Sequence, residues 1–97
     1  MRELTPEELR EVDLCGRVGF SYVEVAYDLR LPIKEVREQF AKKSGELFDN
    51  WMHGRMQAEL EIRQKVLEGA KNGSTPMLEK MLVFFKRADD ENRDLLG

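Results

Sequence analysis

All three prolines of this 97-residue chain, Pro6, Pro32 and Pro76, stand where a helix can begin. Proline lacks an amide donor and its φ is already helical, so it fits the first turn of a helix and breaks a helix elsewhere. Thr5 precedes Pro6 as a cap, with Glu8 placed to complete a capping box and Leu4 and Leu9 spaced as a hydrophobic staple. Pro32 biases Leu31 away from helical geometry, so the chain turns there before a new helix starts. Thr75 is a cap for Pro76. No strand-like alternation interrupts these stretches. The spacing predicts an all-α chain with helices over 6–16, 21–30, 32–42, 45–72 and 76–94.

The first three helices have short apolar faces: Leu9, Val12 and Cys15 or Val18; then Tyr22, Val25, Ala26 and Leu29; then Ile33, Val36 and Phe40. Gly16 or Gly19 ends the first, and Ser21 caps the second. Together they make a trihelical unit over 1–43. Ser44 is placed to cap a long helix that stops at Asn72-Gly73. The long helix and the last one are then an antiparallel hairpin over 44–97, with arms of about 40 and 30 Å at the helical rise.

Composition narrows the chemistry. Hydrophobic residues make up 41% and charged residues 36%, the balance of a soluble helical protein. No apolar run approaches a membrane span, and the N-terminal stretch does not read as a signal peptide. Cys15 is the single cysteine, which excludes an internal disulfide and fits an intracellular setting with a buried, inert thiol. His53 is the single histidine and has no second soft ligand near it, no glycine-rich phosphate loop occurs, and the carboxylates are scattered. The expectation is a non-enzyme with no metal and no cofactor.

The stretch SYVEVAYDLRLPIKEV (21–36) has helix-turn-helix spacing. Val25, Leu29, Leu31 and Val36 take the core positions, Ala26 is the small residue at the helix crossing, and Arg30 stands where the motif usually has glycine. The second helix of such a motif lies in the major groove of DNA. Arg37 and Gln39 are candidates for base edges, and Arg30, Lys34, Lys42 and Lys43 for the remaining DNA contacts. Charge argues the other way: residues 1–41 hold six basic and nine acidic side chains, a net −3, and Glu35 and Glu38 lie on the candidate helix. A module that only packs is therefore an alternative, and one copy alone should bind DNA weakly.

The long helices are richer in apolar residues than a two-helix hairpin needs. Phe48, Trp51, Met52, Ile62, Val66 and Ala70 form one stripe, with Met56, Leu60 and Leu67 beside it. On the last helix Met77, Met81, Phe84 and Ala88 form a stripe adjoined by Leu78, Leu82 and Phe85. The surplus points to self-association through Phe48, Trp51, Met52, Arg55, Met56, Glu59, Met81 and Phe85. The alternative is that the trihelical unit folds back over it. Arg55 and Glu59 interrupt the stripe and have three readings: a pair within the helix, a pair between subunits that sets register, or two side chains reaching for water.

A helix-turn-helix followed by a hairpin containing QAELEIRQKVLEGAKNGSTPMLEKMLVFFKRA resembles phage small terminase subunits and related phage or insertion-element DNA-binding proteins. The resemblance covers about residues 20–90, and Ala70 to Leu78 match the family's joint between the two long helices. It implies a non-catalytic subunit in the cytoplasm of a bacterial host. Such a subunit assembles into a ring, displays its helix-turn-helix units outward, recognises double-stranded viral DNA for genome packaging, and hands it to a large subunit holding the ATPase and nuclease. A dimeric phage or mobile-element transcription regulator is the alternative within the same class. On a ring, weak contacts add up, because linked sites multiply affinity without any new contact.

Overall fold

The computed structural model describes residues 1–96, including side chains except at 94 and 96. It contains five helices: α1 (Pro6–Arg17), α2 (Tyr22–Leu29), α3 (Ile33–Lys42), α4 (Glu46–Lys71) and α5 (Thr75–Leu96). The described residues include no strand. The chain divides into two compact units, Met1–Glu59 and Leu60–Gly97.

Local chemistry sets most helix ends. Thr5 and Glu8 form the expected capping box, and Ser21 forms a second one with Glu24. Arg2 holds the Glu8 carboxylate at 2.6 Å, and that hydrogen bond, with the one from the Thr5 amide, lowers the Glu8 pKa to about 2. Gly19, at φ 83°, lies just past the end of α1, whereas Gly16 lies inside the helix and is buried. Two expected caps move by one residue. Helix α4 starts at Glu46 with the Gly45 carbonyl accepting from Asp49, and α5 starts at Thr75 with the Ser74 carbonyl accepting from Leu78. Ser44 and Thr75 are thus not the residues at those positions.

The core of the first unit is Leu4, Val12, Cys15, Val25, Ala26, Leu31, Val36 and Leu47, flanked by Leu9, Phe20, Tyr22, Leu29, Phe40 and Trp51. Cys15 takes the place left open between it and Val18, which is exposed. Ile33, expected in the core, is 38% exposed. As the first residue of α3, it lies where the chain enters the helix rather than over the core.

Residues 1–43 do not close the core by themselves. Leu47 enters it from α4, and the rings of Phe48 and Trp51 lie 5.7 and 5.0 Å from that of Phe40, with Tyr22 next in the cluster. The Trp51 indole donates to the Phe20 carbonyl at 2.8 Å. Helix α1 crosses this part of α4 at two glycines. A Cβ at Gly16 would overlap the Trp51 carbonyl, and one at Gly54 would overlap that of Asp13. The backbones touch because neither residue has a side chain. This is why the first compact unit runs to Glu59.

In the second unit, Gly73 (φ 92°) turns the chain between α4 and α5. The Met77 thioether lies on Gly69, and the Arg63 guanidinium stands 4.4 Å over the ring of Phe84. These two contacts fix an antiparallel hairpin, and Met81, between them in sequence, is the buried residue of α5 among those described.

Candidate nucleic-acid interface

Helix α3 is held by one face. Val36 is fully buried and Phe40 is clamped in the aromatic cluster, so side chains about half a turn away point out. Those are Lys34, Arg37, Glu38 and Ala41, all exposed. Lys42 follows at the last position of the helix.

Both ends of α3 are marked by a basic residue in left-handed backbone: Arg30 at φ 55°, ψ 44° and Lys43 at φ 53°, ψ 37°. They are the only non-glycine residues with positive φ among those described. At Arg30 this geometry lets the Leu31 amide close α2 on the Ala26 carbonyl at 2.9 Å, the bond that glycine normally makes easy. A side chain there costs roughly 1–2 kcal/mol.

Ion pairing divides the basic residues of the first unit into two groups. Arg2 pairs with Glu8, Arg10 with Glu7, Arg17 with Asp13 and Arg55 with Glu59. Among the described residues Arg30, Lys34, Arg37, Lys42 and Lys43 have no acidic partner, although Glu38 lies four residues from both Lys34 and Lys42. Residues 30–43 hold these five cations and the two carboxylates Glu35 and Glu38, a local charge of +3 within a chain of net −3. Gln39 does not join them: it is half-buried, with its amide oxygen beside Gly45.

The residues expected at a subunit interface are spread more widely. Phe48 and Trp51 belong to the aromatic cluster of the first unit, and Met81 is buried in the second. Met52 is half-buried. Arg55 and Glu59 pair with each other along α4 at 3.1 Å, the first of their three readings. Met56 and Phe85 are exposed, as are Leu60, Ile62, Leu78, Leu82 and Val83.

Two clusters were not visible in the sequence because their members lie far apart in it. Donor atoms of Glu11, Cys15 and Asp28 lie within 4.8 Å of one another, and the Cys15 thiol donates to Asp28 at 3.4 Å. Burial, the Asp28 hydrogen bond and nearby negative charge push the thiol up to about 12, so it stays protonated and is a poor nucleophile or metal ligand. The Asp28 hydrogen bond and charge likewise raise the Glu11 pKa. At the α1–α4 crossing, His53 Nδ1 lies 2.5 Å from Asp13. Comparison with protein-family models, with curated proteins and with solved structures finds no match to this chain.

Arg30 gives a test with opposite signs. Arg30→Gly should stabilise the first unit by about 0.5–1 kcal/mol, the relief of left-handed strain less the larger chain entropy of glycine. It should also weaken DNA binding if the side chain contacts phosphate. Denaturant midpoints and binding isotherms on the same variant read both; a fall in stability would mean that Arg30 is held for packing.

Proposed function

We propose that the protein is a non-catalytic DNA-binding subunit of the small terminase type, with α3 as its reading helix and self-association through its helical hairpin. The observation that carries this reading is the ion-pair division of the first unit. The arginines elsewhere in that unit each lie within 4.0 Å of a carboxylate, and among the described residues the cations on α3 and at its two ends do not. Unpaired arginine and lysine on one face is the arrangement that phosphate binding requires, because each contact gains by releasing condensed counterions. Left-handed geometry at Arg30 and Lys43 adds to it, since backbone strain tends to be kept where a side chain has work to do.

On this reading Lys34 and Arg37 face base edges, while Arg30, Lys42 and Lys43 sit on phosphates at either end of the helix. Double-stranded DNA is the partner, bound weakly by each copy and more firmly by an assembly. A large subunit would act as recipient of the DNA in the bacterial cytoplasm.

Replacing Lys42 and Lys43 together by alanine tests this. Affinity for every duplex should fall, and the slope of log affinity against log salt should flatten by about 1 for each lysine. Unchanged affinity would remove α3 as the DNA surface and favour a module that only packs. Native mass separates the terminase-type assembly from a dimeric transcription regulator.

A further inference from the structure

The proposed DNA surface has one residue of the wrong sign at its centre. Glu38 is near the middle of α3 and two residues from the fully buried Val36, which turns it almost directly away from the core. It is exposed, and among the described residues it pairs with neither Lys34 nor Lys42, each one helical turn away. DNA lying along this face must therefore place a base pair against a carboxylate.

The chemistry of that meeting is restrictive. An ionised carboxylate only accepts hydrogen bonds. In the major groove the donors are the amino groups of cytosine (N4) and adenine (N6), while guanine O6 and N7 and thymine O4 are acceptors that would repel it. Adenine presents its N7 acceptor beside the amino group, and cytosine does not. Lys34 and Arg37, which share the face, are donors only and call for the acceptors of guanine.

We infer that Glu38 is a specificity-determining residue that accepts a hydrogen bond from the N4 amino group of a cytosine, beside guanines read by Arg37 and Lys34. The inference rests on the DNA-binding reading of α3. Its carboxylate lowers affinity for DNA in general and restores it only where that base is present.

The experiment is selection from a randomised duplex library by the full chain and by its Glu38→Ala and Glu38→Gln variants, at one fixed salt concentration. The wild type should enrich cytosine at one position by roughly 10- to 100-fold. Glu38→Ala should lose that preference alone, keep the guanines, and bind unselected duplex several-fold more tightly. Glu38→Gln should shift the position towards adenine. Identical preferences in all three proteins, with only a uniform gain in affinity, would overturn the inference and leave the DNA reading standing. Absent binding by the wild type to any duplex would overturn both.

Discussion

Gly54→Ala is expected to unfold the Met1–Glu59 unit, although alanine is the better helix former. In an open helix the change would gain about 1 kcal/mol. Here the new Cβ would overlap the Asp13 carbonyl oxygen and crowd the Arg17 amide nitrogen, at 2.9 Å. Both are backbone atoms inside α1, so the clash is relieved only by moving whole helices apart. That motion would pull Leu47 from the core and strain the 2.8 Å bond from Trp51 to Phe20. Overpacking against flexible side chains costs about 1–3 kcal/mol, and a rigid backbone neighbour should exceed that. A unit of this size has only about 3–9 kcal/mol to lose. Gly16→Ala should do comparable damage, and the double variant should cost less than the sum, because both open the same crossing. Thermal unfolding followed by circular dichroism checks this; a Gly54→Ala protein melting at or above the wild-type temperature would mean that the helices do not touch there.

How much of this was legible in the sequence depends on how far apart the interacting groups lie. Helix ends follow from residues within four positions of one another. Thr5 with Glu8 and Pro32 after Leu31 therefore fix boundaries to a residue or two. Gly16 was ambiguous because a glycine near a helix end reads as a stop, whereas its actual role depends on Trp51 and Gly54, more than thirty residues away. A glycine inside α4 did carry a signal, since it weakens a helix and calls for a reason. The extent of the first unit was hidden for a related reason. Phe48 and Trp51 read as surplus apolar surface until Phe40 and Tyr22 are seen to receive them.

The candidate DNA surface was legible as a set of residues but not as a charge pattern. Spacing alone put Lys34, Arg37 and Lys42 on the third helix, Lys43 just past its end, and Arg30 at the glycine-like turn before it. Among the described residues Glu38 pairs with neither Lys34 nor Lys42, although each lies one helical turn away, which spacing does not predict. Nor does spacing predict Arg2 on Glu8, a pair six residues apart that bridges the start of α1. Gln39, expected on the exposed face, is half-buried, because a helical wheel takes no account of the loop beyond the helix, where its amide oxygen lies beside Gly45.

Phe85→Glu is expected to convert an assembly into free chains without unfolding them. Helix α5 carries two apolar seams side by side. Met77, Met81 and Phe84 form the one that meets α4, with Met81 buried in it. Leu78, Leu82 and Phe85, spaced by four and three residues like the seam of a coiled coil, form the other, and they are 48%, 56% and 54% exposed. A second copy of the chain is the occupant proposed for that outer seam. Covering a leucine or phenylalanine side chain fully gains about 1.5–3 kcal/mol, so these half-exposed side chains would each contribute about half of that from each copy. A glutamate at position 85 removes one such side chain and buries a charge among the rest, which should weaken association by at least about 100-fold. Native mass should then fall from a multiple of 11.3 kDa to that value, with helix content unchanged because Phe85 is 54% exposed and not among the buried residues. DNA affinity should fall with it, by as much as about 10²- to 10⁴-fold, although Phe85 is far in sequence from α3, because linked copies bind as one. A wild-type chain that sediments at 11.3 kDa at tens of micromolar would sink the assembly and, with it, the account of how a reader this weakly charged holds DNA.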